Sequence, residues 1–142
     1  MILKPALAVL AYVVPSMLLA VPWHLMWFKR EYHHFGIYTR ADPIILLGLA
    51  TMFIQGIVMA AIYPRWYRSG VPALEGIKFS LLIGLFLFSV STMATIAKVE
   101  VTDPWRFVLL SGIFHTIQFT VAGAGVGLAF GRLEVKASGQ AQ

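Results

Sequence analysis

Residues 43–63 read PIILLGLATMFIQGIVMAAIY, a stretch with no charged side chain. A helix needs about 20 predominantly apolar residues to cross the ~30 Å hydrocarbon core of a bilayer. The other structure that closes its backbone hydrogen bonds in lipid, a β-barrel, is built from ~10-residue segments that alternate in polarity. Residues 43–63 do not alternate. They read as one membrane-spanning helix.

Three further runs have the same character: Pro5–Phe28, Ala73–Ala97 and Trp105–Phe130. Across 142 residues the hydrophobic fraction is 59% and the charged fraction only 12%, with mean hydropathy +0.80. A soluble globular domain carries about 45–50% apolar and about 25% charged residues. The expected fold is therefore an all-α, integral membrane four-helix bundle over residues 1–131. A polar tail, 132–142, is expected to follow it.

Proline and aspartate punctuate the runs. Asp42-Pro43 and Asp103-Pro104 each offer a capping carboxylate followed by a proline suited to the first helical position. Pro72 can open the third helix in the same way. Tyr63-Pro64 is expected to close the second helix, and Gly131-Arg132 the fourth. Trp23, Trp27, Tyr32, Tyr38, Tyr63, Trp66, Tyr67 and Trp105 lie near the ends of the runs, the depth amphipathic rings prefer. The first run has no small-residue cleavage site and is longer than a signal-peptide core, so it reads as a retained span.

Four spans put both termini on one side. Lys4, Arg65, Arg68, Lys78, Arg132 and Lys136 lie there, against Lys29, Arg30, Arg40, Lys98 and Arg106 opposite. The positive-inside rule thus places both termini in the cytoplasm. The net charge of +5 is distributed between spans, which points to the bilayer and not to a nucleic-acid partner. The longest connection, Lys29–Asp42, is too short for a domain and is expected to lie along the surface.

The chemistry-bearing residues sit on helix faces. Ser111, His115, Gln118, Ala122, Gly125 and Ala129 recur at steps of three and four and share one face of the fourth run. Polar groups there need protein or water opposite them. Ser16 with Tyr12, Gln55 with Gly48 and Thr51, and Ser91 with Ser80, Gly84, Thr95 and neighbouring Thr92 form matching faces on the other runs. Counted along straight helices, His115 lies roughly 15 Å deep and His24 about 6 Å. A polar seam is thus expected from His33-His34 past His24 to Ser91, His115 and Gln118. A second ridge, Gly123, Gly127 and Gly131, has the small-xxx-small spacing that brings backbones together. It is the expected contact face for a partner.

Without cysteine there is no disulfide, thiolate metal site or cysteine nucleophile. No nucleotide-binding or zinc-protease motif occurs, and no nucleophile–base pair can be named. A non-enzymatic accessory or assembly subunit, packing on a larger membrane complex or on its own copies, is the expected function. The alternative uses the seam: a small-solute transporter or channel, or a bundle holding haem b between His24 and His115. No metal-binding group is nominated.

The order of features, Trp23-His24-Leu25-Met26-Trp27-Phe28, then Tyr32, then helices containing Gly and Thr, resembles small bacterial four-helix inner-membrane families of unknown function. The resemblance implies the fold and location only, and brings no functional residue.

Overall fold

The computed structural model describes residues 3–139, with side chains placed through Gly131. Among them there are helices and no strand. Helix α1 (Leu3–Pro22) runs without a break into a π-helical segment, Trp23–Trp27, followed by a short α2 (Lys29–His34). Next come α3 (Ile45–Trp66) and α4 (Pro72–Phe88). A second π segment, Ser89–Met93, leads to α5 (Ala94–Ile96), and α6 (Pro104–Gly139) completes the chain. Four stretches, Leu3–Trp27, Ile45–Trp66, Pro72–Ile96 and Pro104–Gly131, are long and apolar enough to cross a bilayer.

Two of the expected helix starts are present. Asp103 Oδ1 accepts the Arg106 backbone N–H at 3.2 Å, which satisfies a donor that α6 leaves open. Pro72 sits in the first turn of α4. The other boundaries differ from expectation. Helix α3 starts at Ile45, after Ile44, with no side-chain cap. The Ile45 and Gly48 N–H groups take the Pro43 and Ile44 carbonyls, so Asp42 is not needed. Pro64 does not end α3, because a proline removes one donor only and the Tyr67 N–H still reaches the Tyr63 carbonyl at 2.9 Å. Nor does Gly131 end α6: the backbone stays helical to Gly139, through Leu133, Glu134, Lys136 and Ala137, all good helix formers. Residues 140–142 of the expected tail lie outside the described residues.

The first connection also departs from its expected place along the surface. Tyr32 and Phe35 are buried and pack with Val101, Phe107, Phe114, Ala20 and Trp23. Removing these rings from water stabilises the fold by ~25 cal/mol per Å² of apolar area. Gly36, at φ +77°, lets the chain reverse after Phe35 in a conformation that side chains with a Cβ rarely adopt. The connection is a folded plug over one end of the helices.

Helix α6 is the centre of the packing. It lies along both α4 and α1, while α3 is held mainly by α1. A core of Ala8, Tyr12, Met59, Tyr63, Phe79, Phe119, Ala122, Val126 and Phe130 joins all four long helices toward the end that carries the termini. There Tyr63 of α3 meets the Phe79 ring of α4 at 5.4 Å and donates to the Pro72 carbonyl at 3.3 Å.

Gly123, Gly127 and Gly131 do not form a face for a partner. Their ridge is filled by this chain's own α4. A Cβ on Gly127 would strike the Pro72 carbonyl oxygen, one on Gly123 the Ser80 side chain, and one on Gly131 the Pro72 ring. The reciprocal ridge is Pro72, Gly76 and Ser80, also four residues apart, and a Cβ on Gly76 would strike the Gly123 carbonyl oxygen. Glycine at Gly76, Gly123 and Gly127 is what allows the backbones to meet.

A Gly127→Leu substitution is therefore expected to disrupt the chain itself, not merely an association. Overpacking of this kind costs ~1–3 kcal/mol or more. Denaturant titration of the purified protein in micelles should show the unfolding midpoint falling accordingly. An unchanged midpoint would mean that α4 does not sit on the ridge.

Candidate functional site

Beyond Tyr63 and Phe79, α3 and α4 diverge, and a cleft of about 200 Å³ opens between them. Its walls are Thr51, Met52 and Gln55 from α3, and Leu87 and Ser91 from α4 and its π segment. Ala20 and His24 from the first span and Phe114, His115, Gln118 and Phe119 from α6 complete it. Five nominated residues, His24, Gln55, Ser91, His115 and Gln118, thus share one space with Thr51.

Local structure explains the convergence. Straight-helix counting separates His24 from His115 by about 9 Å of depth. Pro22, which lacks an N–H, is followed by a π turn in which the Phe28 N–H reaches back to Trp23 at 3.0 Å. Such a turn takes in an extra residue and changes which side chains face inward. His24 is carried beside α6, where its ring packs on Phe114 at 4.5 Å. The second π turn likewise interrupts α4 where Ser91 meets His115.

A hydrogen-bonded chain crosses the floor of the cleft. Gln118 Nε2 donates to Ser16 Oγ at 3.2 Å and to the Tyr12 hydroxyl at 3.3 Å. Tyr12 in turn donates to Gln55 Oε1 at 2.7 Å. Three helices are thereby tied by groups that could not be left unpaired in an apolar interior without cost. His115 Nδ1 lies 2.7 Å from the Ser111 carbonyl oxygen. A carbonyl only accepts, so Nδ1 bears the proton, and in the uncharged ring Nε2 accepts from the Ser91 hydroxyl at 3.4 Å. His24 Nδ1 faces the Tyr38 hydroxyl at 3.2 Å.

The plug closes one end of this cleft. Tyr32 stacks on Tyr38 at 4.9 Å and meets the His24 ring edge-on at 4.6 Å. Trp23 Nε1 donates to the Tyr32 hydroxyl at 3.3 Å, and Ser111 adds a further side-chain hydrogen bond. Burial pushes the Tyr32 phenol above its ordinary range, more than the Trp23 and Ser111 hydrogen bonds pull it back. Tyr38 is also raised, by burial first and by its neighbour Tyr32 second.

Not every nominated residue belongs here. Ser16 lies beneath the floor, bonded to Gln118, and Ser111 orients His115 through its carbonyl. Thr92 is buried but is not part of the walls. Thr95 is occupied by its own helix, donating to the Ser91 carbonyl at 2.7 Å. His33 and His34 are exposed and do not continue the seam. Tyr32 and Tyr38 read from the sequence only as interfacial rings. Tyr12 shares the Ser16 face four residues away, a readable signal, but only the folded connection brings Tyr38 to His24.

A haem b does not fit between His24 and His115. The cleft is smaller than the ~300–1,000 Å³ typical of sites for drug-sized ligands. The Phe114 ring also lies against both imidazoles, at 4.5 Å and 5.6 Å. Among the described residues no group of three or more His, Asp or Glu side chains could hold a metal ion. A neighbouring groove of about 230 Å³ also borders His115, with Leu81, Gly84, Leu85, Phe88, Gly112 and Thr116. Its hydroxyl is spent, since Thr116 donates to the Gly112 carbonyl at 2.8 Å. The four-helix cleft is the better site.

No protein-family model, no curated protein and no solved structure matches this chain.

The plug gives a pH signature. Below about pH 10, the ordinary tyrosine value, folded and unfolded chains both keep the Tyr32 and Tyr38 protons, and the plug's contribution is complete. Above it the unfolded chain loses protons that the folded chain retains. Stability then falls as pH rises toward the raised folded values. Absorbance titration at alkaline pH should show a class of tyrosines ionising only with unfolding, and Tyr32→Phe/Tyr38→Phe should reduce that class by two. Ordinary titration of every tyrosine in the folded protein would contradict the buried plug.

Proposed function

We propose that this chain is a non-enzymatic, multi-pass protein of a bacterial inner membrane that binds a small neutral polar molecule within the bilayer. The cleft carries the reading: His24, Thr51, Gln55, Ser91, His115 and Gln118, from all four long helices, line one space. Intramembrane polar groups that gather around a cavity mark a solute site by default. None of the wall residues is Asp, Glu, Lys or Arg, so the site favours an uncharged occupant. The one hydroxyl–imidazole pair among the walls, Ser91 with His115 at 3.4 Å, has a backbone carbonyl and not a carboxylate behind the imidazole, which supports binding without chemistry. The alternative of a subunit that docks through Gly123, Gly127 and Gly131 is weakened, because α4 fills that ridge.

Both termini and the Tyr67–Val71 turn belong on the cytoplasmic side by the charge bias, and the plug opposite. Because the chain has no cysteine, introduced thiols report topology directly. His34→Cys is expected to react with a membrane-impermeant maleimide in intact cells, and Ser69→Cys only after permeabilisation. Equal labelling of both from outside would overturn the four-span reading.

Binding is tested by nitrogen-15 NMR of the imidazoles in micelles, titrated with glycerol and with 1-octanol as neutral hydroxylic probes. His24 and His115 signals should move together and saturably, with His33 and His34 unaffected. The Gln55→Leu/Gln118→Leu variant should require about tenfold or more additional probe, given ~1 kcal/mol per lost hydrogen bond. A flat response of both buried imidazoles to both probes would refute the proposal.

A further inference from the structure

We infer that the occupant of the cleft is a hydroxyl-headed neutral lipid that enters sideways from the bilayer between α3 and α4. The inference rests on the binding role proposed above and names its ligand class.

The entry route follows from which side of the cleft is closed. Toward the nearer aqueous end, His24 is covered by Tyr38 at 3.2 Å and by the Tyr32 ring. Toward the other end, the Tyr63–Phe79 and Tyr63–Pro72 contacts join α3 to α4. Between these two closures Thr51 and Ser91 are both walls of the cleft and exposed. Thr51 lies about 9 Å inside the start of α3 and Gln55 about 15 Å inside it. At those depths the surroundings of a spanning helix are acyl chains, not water. The opening therefore faces lipid.

The head group follows from the hydrogen bonds that the protein leaves unmade. Gln118 uses its amide nitrogen on Ser16 and Tyr12, and its Oε1 has no hydrogen-bond partner. Gln55 uses Oε1 to accept from Tyr12, and its Nε2 has none. The Tyr38 hydroxyl has no other acceptor, so it donates to His24 Nδ1 and leaves Nε2–H as a free donor in the uncharged ring. Among the described residues the only fully buried side-chain nitrogen or oxygen without a partner is Ser80 Oγ. The three free atoms of Gln118, Gln55 and His24 thus have open space before them, and all three residues line the cleft.

Two donors and one acceptor match a hydroxyl, which donates once and accepts up to twice. A quinone or ester carbonyl only accepts and would leave Gln118 Oε1 unsatisfied. A phosphate head would enter with no cationic wall residue to meet it, at heavy desolvation cost. A volume of about 200 Å³ suits a glycerol-sized head with its acyl chains lying outside. A diacylglycerol has this form.

The test uses the full chain in phosphatidylcholine nanodiscs with a dioctanoylglycerol analogue carrying a diazirine in one acyl chain. Crosslinks are expected on the Thr51–Gln55 and Leu87–Ser91 segments, saturably. Unlabelled dioctanoylglycerol should compete at least tenfold better than decylubiquinone. Gln118→Leu should cut labelling about fivefold, the effect of one hydrogen bond. Because Gln118 also ties α6 to α1, Thr51→Leu provides a second variant: its position is exposed, the fold should persist, and labelling should fall as the opening narrows. Equal labelling by a diazirine phosphatidylcholine, equal competition by decylubiquinone, or full labelling of Thr51→Leu would overturn the inference. If glycerol moves the His24 and His115 signals while dioctanoylglycerol neither crosslinks nor competes, lipid entry fails and solute binding stands. If neither probe engages, both readings fail.

Discussion

The architecture depends on the direct meeting of two helix backbones. Pro72, Gly76 and Ser80 on α4 interlock with Gly123, Gly127 and Gly131 on α6, and added Cβ atoms would collide with main-chain oxygens at Gly76 and Gly127. In a lipid environment there is little hydrophobic drive for one apolar helix to leave acyl chains for another. Close approach, with the dispersion contacts it brings, supplies attraction instead. Fixing α6 against α4 also fixes what the rest of α6 faces: Gly125 packs against the Ala11 carbonyl, and Gln118 is turned toward Tyr12 and Ser16.

The cleft is a by-product of unequal packing that the polar residues then occupy. Helix α3 leans on α1, with Gly56 against the Val9 carbonyl, and meets α4 chiefly around Tyr63. Two helices joined at one end and held to different neighbours must diverge. The space between them would leave Gln55 and Gln118 unpaired were these not bonded through Tyr12. That network is satisfied along its length yet leaves one atom free at each end. A polar group in a low-dielectric setting is costly to leave unpaired, and these free ends are what the proposed ligand would satisfy.

The two π turns and the folded connection complete the site. Each π turn shifts register within a span, at Pro22 for His24 and beside Ser91 for His115. The plug of Tyr32, Phe35 and Tyr38 closes one end of the cleft with rings, and burial disfavours the ionised phenols of Tyr32 and Tyr38. Together they convert a row of scattered polar residues into a one-sided compartment.

Composition and spacing alone determined the four apolar helices, the Asp103 cap, the proline start of α4, and the shared face bearing His115, Gln118 and Gly125. These are local or single-helix properties, and 3.6-residue periodicity exposes them. The glycine ridge was legible as a close-contact surface, but not its occupant, because spacing on one helix says nothing about which helix answers it. Gly76 gained meaning only opposite Gly123. The π turn after Pro22 changes which side chains face inward, which straight-helix counting misses, and Tyr38 became part of the site only when Gly36 turned the connection inward. Which residues can hydrogen-bond is written in the chain. Which of their atoms remain unspent is decided by tertiary packing, because a hydrogen bond consumed inside the bundle is no longer available to a ligand.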